Sequence, residues 1–131
     1  MLEEKLNMLW ASVILDYRFD MLRNEITFEL ETIDGERKNR HTLEFKKVSM
    51  WYFINNFSDY RKRINPPEEG SYLEITSIEV FEDFDIIIGN SQQDWLKKYN
   101  SQVNVSIEIW NQFLFIEAAV IKLDGIEYPL I

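Results

Sequence analysis

Leu2, Leu6 and Leu9 recur at i, i+4 and i+7, the spacing of one helix face. Glu3 and Glu4 in the first turn suit the positive end of such a helix. From Val13 the period drops to two. Val13, Leu15, Tyr17 and Phe19 alternate with Ile14, Asp16, Arg18 and Asp20, which predicts a strand with one rather polar face. Arg23-Asn24 reads as a turn. Ile26, Phe28 and Leu30 alternate with Thr27, Glu29 and Glu31 and predict a second strand. Asp34-Gly35 signals a hairpin, because Gly takes the positive φ that tight turns need. The polar run Glu36 to Arg40 lengthens that loop in this reading. Leu43, Phe45 and Val48 then mark a third strand, completing a meander.

Trp51-Tyr52-Phe53-Ile54 fits two patterns. It reads as a buried strand ending near Asn55, while Phe53, Phe57, Tyr60 and Ile64 also fit a helix at i, i+4, i+7 and i+11. The strand is the preferred assignment. Asn56 to Ser71 is the longest loop, broken by Pro66-Pro67 and Gly70. Tyr72 to Phe84 predicts a long strand whose apolar phase slips after Ile75, hence a bulge at Thr76-Ser77. Ile86-Ile87-Ile88 is a short apolar run. Ser91 resembles a helix cap with Asp94 three residues on, so a short helix is expected from Gln92 to Tyr99, with Asp94 pairing with Lys98. Val105, Ile107 and Ile109 alternate. Trp110-Asn111-Gln112 is a turn. Phe113 to Leu123 is apolar on both faces over much of its length, as in a central, covered strand. Asp124-Gly125 is a second hairpin signal before Ile126, Tyr128 and Leu130. Seven or eight strands and two short helices predict an α+β, mainly β fold. Its antiparallel sheet of meanders and hairpins curls into a barrel or forms two layers, with a helix over an open face or edge.

A chain of 131 residues with no composition shift or repeat predicts a single domain, 1–131. No stretch approaches the roughly 20 apolar residues that span a bilayer. Met8 to Leu15 is too short, and the residues before it include Glu3 and Glu4 instead of a basic leader. The expectation is a cytoplasmic protein with no membrane contact. The formal charge of -9, with 23 acidic against 14 basic residues, argues against direct nucleic-acid binding, which needs excess Lys and Arg. The absence of cysteine removes disulfides and thiolate chemistry.

The search for catalytic chemistry finds little. The one histidine, His41, stands between Arg40 and Thr42 at the start of a predicted strand, and reads as a surface or packing residue. No serine elbow and no glycine-rich phosphate loop is present, and all four glycines fall at predicted turns. Glu79, Glu82, Asp83 and Asp85 form the densest acidic cluster. Oxygen ligands suit calcium or magnesium, but the calcium-loop spacing is missing, so a solvated strand end is the plainer reading. With 23 acids, a suitably spaced carboxylate pair for glycoside hydrolysis is uninformative. No cofactor is expected, and the protein is read as no enzyme.

Four tryptophans, six tyrosines and nine phenylalanines suit pleated strands and a small core. Trp51, Tyr52, Phe53, Phe57 and Tyr60 also suit a pocket or partner surface, with the core the preferred reading. The same two readings apply to Trp95 and Tyr99, which become candidate partner anchors. Arg61-Lys62-Arg63 reads as a solvated loop. Two function classes follow. One is an acidic protein-binding module that inhibits a basic toxin or nuclease, since complementary charge raises association rates. Cytosolic bacterial proteins are commonly acidic, so charge shifts this balance only slightly. The other is a small-molecule pocket or minor enzyme in a β-barrel.

Four segments bear on that choice: Val13-Ile14-Leu15-Asp16-Tyr17-Arg18-Phe19-Asp20; His41-Thr42-Leu43-Glu44-Phe45; Tyr72-Leu73-Glu74-Ile75-Thr76-Ser77-Ile78-Glu79; and Glu108-Ile109-Trp110-Asn111 running into Phe115-Ile116-Glu117-Ala118. In that order they resemble a family of small uncharacterised proteins from Bacillus-like Gram-positive bacteria, over about Val13 to Glu127. Some relatives lie near genes for large secreted toxins with variable C-terminal domains. The resemblance implies an immunity-type role with a toxin domain as partner. Its motifs are strand patterns, so it carries over no functional residues. The reading adopted is a non-enzymatic acidic binding module, with Glu79, Glu82, Asp83 and Asp85 steering a partner and Trp95 and Tyr99 anchoring it.

Overall fold

The computed structural model describes residues 1–56, 60–82, 84–89 and 94–130. A short helix, α1 (Leu2–Asn7), leads into β1 (Val13–Asp20), β2 (Glu25–Asp34) and the long β3 (Arg37–Ile54). β4 (Leu73–Val80) follows, then β5 (Asp85–Ile86), a 3-10 helix (Asp94–Tyr99) and β6 (Ser101–Gln102). β7 (Val105–Ile109), β8 (Gln112–Leu123) and β9 (Ile126–Pro129) complete the chain. The fold is mainly β and antiparallel.

β3 pairs with both β2 and β8, and β1 pairs with both β2 and β4. The sheet therefore returns on itself as a ring in the order β1, β2, β3, β8, β7, β4. One seam is short: β1 meets β4 only at Val13 and Ile14, with Ala11 and Ser12 adding backbone bonds to Ile75. β9 adds to the far half of β8. The alternating residues of the strands fill the ring. Ile26, Leu30, Leu43, Phe45, Ile75, Ile107, Ile116 and Ile121 are all fully buried. α1 packs Leu6, followed by Leu9, into the same core. No helix among the described residues is long and apolar enough to cross a membrane.

Bulges keep the apolar phase aligned with the interior. The shift in β4 falls between Ile75 and Ser77, as expected. There the Thr76 hydroxyl donates to Glu108 Oε1 at 2.6 Å, pinning the bulge to β7. A second shift in β3 falls between Val48 and Met50, beside Lys47 at φ +53°. The Ser49 hydroxyl donates to the Glu117 carboxylate of β8. A third, in β1, lies between Ile14 and Asp16. At the β1–β2 turn the Asp20 carboxylate accepts the amides of Arg23 (2.9 Å) and Leu22 (3.0 Å) and the Arg23 guanidinium (3.0 Å). These bonds, the Arg23 amide first, hold its carboxyl below the ordinary value of 3.8.

Several expectations are corrected. Glu36 to Arg40 does not lengthen the hairpin loop. Asp34 pairs with Arg37 across a two-residue turn, and the polar residues continue the ladder where the hairpin runs out into solvent. Trp51 to Ile54 is a strand, but it continues β3 through the Ser49 bulge instead of starting anew. The Tyr72–Phe84 strand ends at Val80 and resumes as β5. The expected Gln92–Tyr99 helix is a 3-10 helix from Asp94; its proposed cap Ser91, with Gln92 and Gln93, lies outside the described residues. Three residues per turn place i+3 above i, so Asp94 pairs with Lys97 (3.1 Å) and not with Lys98.

Candidate functional site

β4 and β7 do not end at the ring. Beyond the Val80–Val105 pair the two chains run on together. Phe81 donates to the Asn104 carbonyl (2.8 Å), Val103 donates to the Phe84 carbonyl, and β5 pairs with β6. The result is a ribbon arm that leaves and re-enters the barrel. Phe84 stacks on Phe115 at 5.4 Å and 10° and also contacts Phe81, while Phe115 stacks on Phe113. These rings lay the base of the arm over the outer face of β8. They also explain why β8 is apolar on both faces.

At the root of the arm lies a broad cleft of about 1210 Å³ between α1, β4, β8 and β9. Its lining includes the carboxylates Glu3, Glu79, Glu82 and Glu117, and Lys47 is its one basic side chain among the described residues. Glu3, Glu79 and Glu82 take part in no ion pair among the described residues. Glu117 is held in place by the Ser49 hydroxyl and the Gln102 amide. The cleft exists because β7 begins opposite Ile116 and β9 ends opposite Val120, leaving a notch along β8. Asn104 floors it: its Nδ2 donates to the Ala118 carbonyl (2.6 Å) and its Oδ1 accepts the Ala118 amide (3.0 Å). Leu130 donates to the Ala119 carbonyl, and two alanines leave the space open.

The residues singled out in the sequence thus divide. Glu79 and Glu82 come together in the cleft with Glu3 and Glu117, which sequence spacing did not reveal. Asp85 sits on β5 of the arm, apart from the cleft lining. Asp83 lies outside the described residues. Trp95 and Tyr99 fill no core. They meet edge to face at 6.4 Å on the 3-10 helix and are 62% and 54% exposed. Ile87, on the same arm, is 74% exposed. Among the described residues no three His, Asp or Glu groups gather as a metal site.

A second, apolar cleft of about 560 Å³ opens at the other side of the short β1–β4 seam. Tyr17, Phe19, Phe28, Phe53, Tyr72 and Leu114 are among its lining, which contains no carboxylate among the described residues. Trp51 packs against the core nearby and contacts Phe19 at 5.3 Å. Phe57 lies outside the described residues, and Tyr60 is exposed.

His41 belongs to neither cleft. Its Nδ1 is 2.7 Å from Asp124 Oδ2 and its Nε2 is 3.3 Å from Thr32 Oγ1. The other Asp124 oxygen accepts the Thr42 amide at 2.9 Å. Asp124, at φ +50° in the β8–β9 turn, ties that turn to β3 through both oxygens. Outside both clefts, this trio is a brace between hairpins.

Comparison with known proteins places these strands in context. The chain is 24% identical over 113 residues to "Uncharacterized protein YxiG" of Bacillus subtilis (strain 168), an alignment covering 85% of this chain and 78% of that protein. The family model described as "YxiG-like protein" matches residues 2–128, from α1 to β9, so the chain belongs to the YxiG-like family.

Proposed function

We propose that the protein is a non-enzymatic protein-binding module that engages a basic partner, of the immunity type that shields a toxin domain. The observation that carries this reading is the arm between β4 and β7. Glu79 and Glu82, in no ion pair among the described residues, stand at its root, and the exposed Trp95 and Tyr99 stand further along it. Carboxylates in a cleft steer a cationic surface by their field, and aromatic side chains supply the buried anchors of a hot spot. The apolar cleft, with no carboxylate, histidine or lysine in its lining among the described residues, supports a binding role over a catalytic one. The resemblance to proteins encoded beside toxin genes supports the choice of partner.

The test is co-expression with the neighbouring genes, isolation of a one-to-one complex with a basic toxin domain, and assay of that domain's activity. Replacing Glu79, Glu82, Asp83 and Asp85 with Ser is expected to slow association roughly ten-fold or more at low salt and to flatten its salt dependence. Trp95→Ala is expected to act on dissociation instead. Association rates unchanged by the four-fold variant would overturn the role of the acidic root.

The apolar cleft favours a second reading, a small apolar ligand, because its volume lies in the roughly 300–1,000 Å³ range of ligand sites. A ligand present at about 100 times its Kd should stabilise the fold by ~2.7 kcal/mol. A thermal-shift screen of small aromatic and aliphatic compounds checks this. Leu73→Trp, which fills the cleft, should abolish any shift, and a shift that survives it counts against the reading.

A further inference from the structure

We infer that β1 is a self-association edge, through which two copies pair antiparallel about a two-fold axis at Tyr17, Asp16 of each copy facing Arg18 of the other. The first observation is the edge itself. β1 is paired with β2 along its length, but β4 leaves it after Ile14. From Leu15 to Asp20 the side opposite β2 has no strand partner among the described residues. In an antiparallel strand every second residue turns both its N–H and its C=O to that side. These groups specify an extended main chain as the occupant.

The second observation is how little guards the edge. Exposed edges are commonly blunted by Lys, Pro or a covering element. Val13–Asp20 contains neither Lys nor Pro, and its charges, Asp16, Arg18 and Asp20, are of mixed sign and so can pair with a second copy. Its bulge, at Leu15, lies at the start of the free stretch. Leu15 and Tyr17 are 43% and 56% exposed, and Met21 and Leu22, just beyond the strand, are more exposed still.

The third observation selects the partner. Asp16, Arg18 and Asp20 alternate in charge on one face of the strand, with Tyr17 and Phe19 on the other. A two-fold axis at Arg18 would set Arg18 against its copy and Asp16 against Asp20, which is repulsive. An axis at Tyr17 sets Asp16 against Arg18 twice, and places Leu15 of one copy beside Phe19 of the other. Opposite charges directly across a ladder are favourable and like charges are not. The strand is thus complementary to itself in that register, as an isologous contact requires. Within one chain Arg18 already lies 3.7 Å from Asp16 and 3.5 Å from Glu29. These are solvent-exposed contacts, cheap to exchange for the same pairing between copies. A five-residue ladder is small beside the roughly 1,200–2,000 Å² of stable interfaces, so the dimer is a transient one.

Sedimentation velocity from micromolar to millimolar concentration tests this on the intact protein. A monomer–dimer equilibrium is expected, weakened at least ten-fold by Arg18→Asp and by Asp16→Arg. The double variant D16R/R18D rebuilds the pairing with its signs exchanged and should restore association. Far-UV circular dichroism confirms that each variant is folded. Amide exchange should also show Leu15 to Phe19 gaining protection as concentration rises. A chain that stays monomeric throughout, a dimer indifferent to R18D, or a double variant no better than the single ones would overturn the inference.

Discussion

Phe45→Ala is expected to destabilise the fold by about 3–5 kcal/mol, the range for emptying a buried aromatic site. Phe45 is fully buried. It stands opposite Ile26 of β2 and Ile121 of β8, so it sits where the meander meets the closing strand. Its ring meets Phe28 edge to face at 6.3 Å. The backbone on both sides is hydrogen-bonded into a ladder and cannot collapse into the space, so the cavity persists. Whole-domain stability is typically about 5–15 kcal/mol, so the loss is a large fraction of it. The melting temperature should fall by roughly 10–20 °C. Thermal unfolding followed by circular dichroism checks this. A fall of only a few degrees would mean that the ring repacks and that the β2–β3–β8 junction is not the rigid centre described.

Asn104→Ala is expected to cost about 2–3 kcal/mol, more than removing an ordinary surface side chain. The Asn104 amide stands in for a missing strand, pairing with both backbone groups of Ala118 in the notch between β7 and β9. Ala118 is nearly buried, so truncation leaves a peptide donor and acceptor without partners. Each unsatisfied buried group costs roughly 1–3 kcal/mol. The same residue also donates its own amide to Ile116 and accepts from Phe81. The loss should therefore loosen the root of the arm as well as β8. Chemical denaturation gives the energy, and amide exchange at Ala118 gives the location. A variant with unaltered stability and an unaltered Ala118 amide would show that Asn104 is dispensable to the cleft floor.

Much of the sheet is legible in the residues because half-buried strands write their two faces into the chain. Ile26, Phe28 and Leu30 do this plainly, and the phase slip at Thr76-Ser77 reveals a bulge because one residue inverts every side chain beyond it. Where both faces meet solvent the code disappears, so Glu36 to Arg40 resembles a loop although β3 begins at Arg37. A bulge can also hide continuity: Ser49 makes Trp51 to Ile54 look like a new element. The cleft is legible only in part. Glu79 and Glu82 announce themselves as neighbours, but Glu3 and Glu117 join them through the packing of α1 and the register of β8, which no local spacing encodes. Trp95 and Tyr99 show the limit of composition. Their residue types suit a core, and it is the arm's departure from the barrel that leaves them outside.

The pairing of β3 with β8 also sets the order in which the molecule can be made. Leu43 to Ile54 of β3 must wait for Phe113 to Leu123, so the longest ladder joins residues far apart in the chain. Such contacts require loop closure before they return any energy, and they slow folding into the millisecond-to-second range. During synthesis the first three strands emerge early, as a local meander with a long bare edge. The strand that covers this edge, β8, is made only after β4 to β7. The barrel therefore closes only once β8 is available, and the nascent meander is the state a chaperone or a second nascent chain would meet.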